Sequence, residues 1–284
     1  MDSQQRVAIS QIALAIAAAI GTILLLPDFA QLTVIEVLLG GLLTILIAVI
    51  ANLGVTTGFG LITLIPTASM MVMFSLGAEI AMLSSVIGLV GAGVIRLLRM
   101  VQHGAKDPFR GDTLVLIGNL LWPIDRTVLS LLAATGMFYL LGGQTPLRQI
   151  TVLPTDLFII AVTLLVFVAI YNVFLAAELA LKGVPVVETF REHQVTILGI
   201  QILPLPLAPL AAVSLGELGW GAFSIFMLLV FATSVAINEL VKTQGSLQHQ
   251  VKQLRSLTAM TQAVRASLEV DSLLEIAYIQ TKNL

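Results

Sequence analysis

For about its first 230 residues the chain consists of long apolar runs with short interruptions, and near Asn238 this pattern changes to a polar heptad sequence. The runs have roughly 18–25 residues, the length that a helix needs to cross about 30 Å of hydrocarbon. Eight such segments occur, at residues 8–26, 32–52, 57–75, 78–98, 114–142, 157–181, 194–213 and 217–238. The composition, 58% hydrophobic and 11% charged with a mean hydropathy of +1.03, lies far outside that of soluble domains. The sequence therefore predicts an all-α polytopic membrane bundle of about eight transmembrane helices, followed by a cytoplasmic coiled-coil helix.

Three of the eight segments are irregular. The third is interrupted by glycines and by Pro66, which predicts a broken or re-entrant element. The fifth is too long for one straight span, and residues 122–126 in its middle suggest an interfacial helix that turns into a shorter membrane helix. The seventh contains three prolines between residues 204 and 209, which must bend or break it.

The basic residues are distributed unevenly among the loops. The loop between the fourth and fifth segments and its flanks contain Arg96, Arg99, Lys106 and Arg110. Because basic loops stay preferentially in the cytoplasm, we place residues 99–113 inside. Eight spans then also place inside the N-terminus, the loop with Lys182 and Arg191, and the C-terminal tail, while the outer loops contain one basic residue, Arg148. The first apolar run lacks the features of a cleaved signal peptide, so we expect it to be a retained first helix.

The polar segment after the last span has the three- and four-residue spacing of a coiled coil. Its a and d positions are Ile237, Leu240, Gln244, Leu247, Val251, Leu254 and Thr258. A parallel homodimer is the natural arrangement of such a helix. The alternative is a solitary amphipathic helix that lies against the bilayer. Gly245 weakens the helix and could serve as a hinge.

The last residues carry a second pattern, an apolar helix face followed by a break at residues 269–271 and a new helix from Ser272. Here the sequence resembles the entry into a GAF domain. The matching residues are Leu268, Glu269, Val270, Asp271, Leu273 and Leu274. The apolar block, with Tyr171 and Asn172 inside a span and a proline-rich segment after it, resembles the multi-span N-terminal regions of bacterial signalling proteins.

These resemblances imply a division of the chain into three parts. Residues 1–238 would form a transmembrane sensor or anchor domain in the bacterial inner membrane, with both termini cytoplasmic. Residues 239–258 would form a signalling helix, with Leu240, Leu247, Val251 and Leu254 as relay and dimer contacts. Residues 259–284 would begin a truncated GAF-like domain. HD-GYP or GGDEF output modules usually follow such domains, and neither signature occurs here, so we expect no catalytic residues in this chain and any enzymatic output beyond Leu284.

Polar residues inside apolar spans are costly, and each is therefore a candidate site. Asp125 is the first candidate, with Arg126 as an anion contact or an interfacial anchor, and Asn119 and Asn172 are further candidates for ligand binding. Neighbouring residues on a helix point about 100° apart, so we expect Asp125 and Arg126 to meet other segments rather than each other. The simpler alternative is that the amides bond helix to helix, and that the glutamates near span ends extend to water.

Three isolated histidines and the absence of cysteine predict no metal site, and no cofactor is expected. The expected partners are the lipid bilayer and a second copy of the chain, or a larger membrane complex, and no nucleic acid. Two alternatives to a signalling protein stay open. One is a small-solute transporter, favoured by the broken third segment, and the other is an accessory subunit of a larger complex.

Overall fold

The structure is a computed structural model that describes residues 3–24, 32–57, 60–102, 113–150 and 153–282. The chain divides into two compact units, Met1–Ile237 and Asn238–Leu284. The regular elements in chain order are α1 (Ser3–Leu24), α2 (Val34–Asn52), β1 (Val55–Thr57), β2 (Gly60–Ile62), α3 (Ile65–Leu76), α4 (Ala78–Gln102), α5 (Thr113–Leu140), α6 (Leu153–Leu181), α7 (Val186–Ile197), α8 (Leu207–Leu218) and α9 (Trp220–Lys282). A π-helical turn, Leu198–Ile202, directly follows α7.

Five described helical stretches are long and apolar enough to cross a membrane. They are Val34–Asn52, Ala78–Arg99, Pro154–Leu181, Gly199–Leu218 and Trp220–Leu240. Their outward surfaces are apolar as well, since on α2 the side chains of Val34, Ile35 and Leu38 are 56–76% exposed. Contiguous apolar surface of this kind is rare on soluble monomers and is expected of helices that face lipid. The chain is therefore helical with several candidate membrane spans, whereas the number of eight stays a prediction.

The third predicted segment is replaced by two smaller elements. Strands β1 and β2 form an antiparallel pair in which Val55 lies opposite Ile62, and α3 follows with Pro66 in its first turn. This hairpin is the exception to the predicted all-α fold. With 12 residues α3 is about 18 Å long, too short to cross the membrane, and every side chain from Ile65 to Ser75 is buried. The predicted broken segment is thus a short helix enclosed by the bundle.

Helix α5 is continuous, so the predicted change from an interfacial to a membrane helix near residue 123 is wrong. Pro123 lies inside a helix of 28 residues, and Trp122 beside it is buried. A proline removes one backbone hydrogen bond from a helix, but packing on both sides can hold the helix together. Here α5 packs along α1 and α6, and the Thr127 hydroxyl donates a hydrogen bond to the Pro123 carbonyl at 2.7 Å.

The seventh predicted segment is broken, as its prolines predict. Helix α7 passes into the π-helical turn, and α8 begins only at Leu207, after Pro204 and Pro206. Pro209 lies in the first turn of α8, where a missing backbone N–H costs no helical hydrogen bond. The break leaves α8, like α3, with 12 residues, and the two short helices pack against each other.

Close helix contacts and a few polar bonds hold the first unit together. Gly88 brings α4 against α2, because a Cβ atom at Gly88 would lie 2.9 Å from the Thr44 carbonyl oxygen. Near the other end of this contact the Arg96 guanidinium donates a hydrogen bond to the carbonyl of Ala51, at 2.5 Å, in the last turn of α2. A cation at a helix C-terminus is favourable because the last carbonyls have no partners within the helix.

The second unit contains the C-terminal part of α9. The helix extends to Lys282, so the break predicted at residues 269–271 is absent and Ser272 does not begin a new helix. No glycine or proline occurs at residues 246–282, and Glu, Val and Asp are all tolerated inside a helix. The predicted start of a GAF-like domain at residues 259–284 and the predicted coiled coil at residues 239–258 stay predictions.

Candidate functional site

The carboxylate of Asp125 lies in the middle of α5, in the interior of the first unit. Its side chain is 1% exposed, and neither carboxylate oxygen has a hydrogen-bond partner among the described residues. Burying an ionised carboxylate without a partner costs much more free energy than burying a neutral group. Asp125 is therefore an energetically costly group in the interior of the bundle, and its role as the first candidate for ligand binding stays a prediction.

The next residue, Arg126, is bound to a tyrosine on the neighbouring helix. Arg126 is 4% exposed, and its Nη2 donates a hydrogen bond to the Tyr171 hydroxyl of α6 at 2.8 Å. The guanidinium carbon also lies 4.1 Å from the centre of the Tyr171 ring, a cation–π contact. The ring of Phe167, one turn earlier on α6, stacks on Tyr171 with the ring centres 5.9 Å apart. The expectation that Arg126 contacts another segment is confirmed.

Asn172 is oriented differently from its neighbour Tyr171. Its Nδ2 donates to the carbonyl of Val168, one turn earlier on the same helix, at 2.8 Å. Its Oδ1 is buried without a hydrogen-bond partner among the described residues, and its side chain lines an apolar groove with Val187 and Phe190 of α7. The structure therefore joins Arg126 to Tyr171 and directs Asn172 toward α7. Asn119 lies in α5, but its side chain is outside the described part of the structure.

Further buried polar atoms lie on or near α5. Trp122, one turn before Asp125, is 4% exposed, and its indole N–H has no hydrogen-bond partner among the described side chains and backbone. Gln11 lies on α1, the helix that packs along α5, and is 2% exposed. Its Nε2 also has no hydrogen-bond partner among the described residues. Positions 122 and 125 are three residues apart and share a helix face, so one face of α5 presents both a donor and a carboxylate.

Two other acidic residues near span ends have local partners. Glu36 closes a capping box at the start of α2, since its carboxylate accepts hydrogen bonds from the backbone N–H and the hydroxyl of Thr33, at 2.8 and 2.9 Å. Glu178 pairs with Lys182, the first residue after the end of α6, at 2.5 Å. These contacts explain both residues as parts of their own helices rather than as a ligand site.

The predicted relay residues lie on α9. The side chains of Leu240, Val251 and Leu254 are 59%, 47% and 63% exposed, and Leu257 and Met260 are exposed in the same way. Leu247 belongs to the same helix, but its side chain lies outside the described residues. A helix with a row of exposed leucine and valine side chains has an apolar face without a partner in its own chain, at the positions described.

No family model, curated protein or solved structure matches this chain. What the polar residues can do therefore follows from their own chemistry. Within the described residues, no group of three or more His, Asp or Glu side chains could hold a metal ion. The Arg126–Tyr171 pair fixes α5 against α6, and the Asp125 carboxylate lies on the adjacent position of the same helix.

Tyr171 is the functional candidate that sequence reasoning did not select. Its hydroxyl is a polar group inside a strongly apolar span, next to Asn172, which is a signal of the kind that selected the other candidates. A tyrosine is common near membrane surfaces, however, and only the pairing of α5 with α6 shows that it meets a buried arginine.

Proposed function

We propose that the chain is the membrane sensor or anchor module of a bacterial signalling protein, which acts as a homodimer through its C-terminal helix. The observation that supports this proposal is that the two parts of α9 differ in burial. Its N-terminal part belongs to the core of the first unit, where Phe223 and Val230 are fully buried. Its C-terminal part has an exposed apolar heptad row that includes Leu240, Val251 and Leu254. A single helix thus contains both the last candidate span and a surface suited to a second copy.

In this proposal a stimulus in the membrane block changes the position or rotation of α9. The heptad row transmits that change to a cytoplasmic output region, which the GAF resemblance would place after it. A relay of this kind needs an element with two arrangements. Candidates are the interrupted stretch between α7 and α8 and the buried polar residues of α5, of which Asp125 has no hydrogen-bond partner among the described residues.

The heptad row can be tested by a pair of double variants. We expect the change of Val251 and Leu254 to serine to convert the purified full chain from dimer to monomer, because the polar side chains remove the apolar seam. The matched control changes Gln250 and Gln253 to serine, on the same turns but outside the seam. Crosslinking and light scattering in detergent measure the mass. An unchanged dimer in the first variant would contradict the proposal.

The relay itself can be tested by fusing a dimer-dependent cyclase reporter to the end of the full chain. An insertion of seven residues after the heptad keeps the apolar seam in register, whereas an insertion of two residues rotates it by about 200°. We expect reporter activity to survive the first insertion and to change in the second. Equal activity of both fusions would show that the helix acts only as a tether.

A small-solute transporter is the second candidate, and one observation favours it. The two short helices, α3 and α8, each follow an interruption of the helical chain, and the buried α3 packs on α8. Interrupted segments in contact at the centre of a bundle are typical of transport sites. In a transporter or an accessory subunit the heptad row has no role in the activity. Solute uptake that is unaffected by the Val251 and Leu254 changes would favour the transporter.

A further inference from the structure

The loop between α5 and α6, residues 141–150, is fixed against the bundle. The N–H of Leu147 donates to the carbonyl of Phe74, at the end of the buried helix α3, at 2.6 Å. The hydroxyls of Tyr139 and Thr145 lie 2.7 Å apart and form a second bond. Gly216 of α8 lies directly against the loop, because a Cβ atom there would be 2.6 Å from the carbonyl oxygen of Arg148. The backbone of the loop is therefore held in place at Leu147 and Arg148, and the exposed side chains of Gln144, Arg148 and Gln149 extend from it.

A cavity of about 580 Å³ lies between this loop and the first turns of α6. Its floor is apolar and includes Phe138 and Ile160, which are 1% and 5% exposed. Its walls contain Arg148 from the loop and Asp156 from the first turn of α6. The amide side chains of Gln144 and Gln149 complete the polar lining. This volume is in the range of sites for small molecules, roughly 300–1,000 Å³.

The chemistry of this lining selects a ligand with both charges. A guanidinium binds a carboxylate with two parallel hydrogen bonds, and a carboxylate binds an ammonium group. A simple anion in the cavity would be repelled by Asp156, and a simple cation would be repelled by Arg148. A zwitterion can satisfy both groups at once, while the amides accept and donate further bonds and the apolar floor contacts the rest of the ligand.

We propose that this cavity, lined by Arg148, Asp156, Gln144 and Gln149, binds a small zwitterionic solute of the amino acid or short peptide class. The carboxylate of the solute would lie on Arg148, and its ammonium group would lie on Asp156. The predicted cytoplasmic position of residues 99–113 and a single crossing by α5 would place the loop on the outer side of the membrane, where such solutes arrive.

The same arginine connects the cavity to the start of α9. A second cavity, of about 300 Å³, shares Leu147 and Arg148 of the loop with the first. It is also lined by Glu36 of α2 and by Trp220, the first residue of α9. A solute that draws the Arg148 side chain into the first cavity removes it from the second, and so changes the charge that faces Glu36 beside Trp220. This step, in which the solute is the stimulus, rests on the proposed function.

Binding can be measured on the full chain in lipid nanodiscs by thermal shift and calorimetry. The probes are an equimolar mixture of the twenty standard amino acids and a casein hydrolysate, with acetate, inorganic phosphate and methylamine as probes of single charge. We expect stabilisation by a zwitterionic probe and a loss of affinity of about tenfold or more in both Arg148→Gln and Asp156→Asn. The matched controls are Arg191→Gln and Glu188→Gln, which change exposed residues around α7 and should keep wild-type affinity.

Three results would overturn the assignment. The first is no stabilisation by either zwitterionic mixture, and the second is unchanged affinity in both cavity variants. The third is binding of acetate or phosphate as tight as that of the zwitterions. Thermal shift of each variant without a probe shows whether it is folded, and Arg148→Lys, which keeps the charge but loses the planar fork, should retain part of the affinity.

The binding site and the proposed function can fail separately. Binding by the variant with serine at positions 251 and 254 tests the cavity without the dimer, and we expect wild-type affinity there. If the wild-type chain binds the solute but is a monomer, the site stands and the signalling proposal fails. If the reporter fusion responds to the two-residue insertion but no zwitterion binds or changes its activity, the relay stands and this ligand class is wrong.

Discussion

At the scale of single residues, Asp125 and Arg126 are two buried charged-type side chains that are adjacent in sequence and point in different directions from α5. Arg126 lies in an apolar interior, where the hydroxyl and the ring of Tyr171 both contact its guanidinium. Asp125 has no hydrogen-bond partner among the described residues, although it is as deeply buried. The sequence marks both residues as expensive, but it cannot show which of them is compensated, since that depends on the residue that faces each one.

Two variants of Tyr171 separate the hydrogen bond from the ring contact. We expect Tyr171→Phe to lower the free energy of unfolding by about 1.5–3 kcal/mol, because a hydrogen bond to a charged donor is lost. Tyr171→Leu should lower it by about 2 kcal/mol more, since the cation–π contact is lost as well. Unfolding in mixed detergent micelles measures both. Equal values for Phe and Leu would show that the ring contributes nothing.

Asp125 and Arg126 should respond to neutralisation in opposite ways. We expect Asp125→Asn to leave the stability unchanged or to raise it, because the amide keeps the shape and removes a buried charge without a hydrogen bond. Arg126→Gln should cost about 2 kcal/mol or more, because the contacts to Tyr171 are lost. The same unfolding assay applies. A strong loss of stability in Asp125→Asn would mean that its charge has a partner on which the fold depends.

At the scale of elements, the length of the apolar segments predicted most of the helices, but it did not predict correctly where all of them are interrupted. Pro123 suggested a turn and lies inside a continuous α5, because packing against α1 and α6 outweighs one missing hydrogen bond. The prolines before α8 do break the chain, since several occur within a few residues. Segment length in an apolar sequence also cannot distinguish a span from α3, whose side chains face protein on all sides.

Gly88 is a point of close approach between α4 and the backbone of α2. We expect Gly88→Ala to destabilise the protein by about 1–3 kcal/mol, because the added Cβ atom would lie 2.9 Å from the backbone oxygen of Thr44. Gly91→Ala, one turn later on α4, is the control, since its Cβ atom would meet nothing within 4 Å. Alanine there should be neutral or stabilising by up to about 1 kcal/mol. Thermal unfolding of both variants gives the comparison, and equal effects would contradict it.

At the scale of the whole molecule, the distribution of basic residues makes a prediction about sidedness. The chain has no cysteine, so single-cysteine variants can be labelled without background. We expect Gln149→Cys to react with a membrane-impermeant maleimide on intact cells, because the loop after α5 is predicted to lie outside. Gln250→Cys should react only after the membrane is permeabilised. Labelling of both positions on intact cells would contradict the three spans predicted between them, because an odd number of crossings puts the two positions on opposite sides of the membrane.

The sequence could identify the buried polar residues of the candidate site, but it could not identify the residues that they contact. Asp125, Arg126 and Asn172 stand out because each is polar in an apolar run, and the structure shows Asp125 and Arg126 buried. Tyr171 and the lining of the cavity by Arg148 and Asp156 depend on which helices and loops are neighbours. In a membrane bundle both the inner and the outer face of a helix are apolar, so hydrophobic periodicity does not show which faces meet.

The enclosure of α3 has a consequence for biosynthesis. Its residues leave the ribosome early, yet one of its main neighbours, α8, begins at Leu207, well over a hundred residues later. At typical translation rates this delay is on the order of ten seconds. During that time α3 is too short to remain as a span and lacks part of its packing surface. The centre of the bundle is therefore completed late, after most of the helices around it have been inserted.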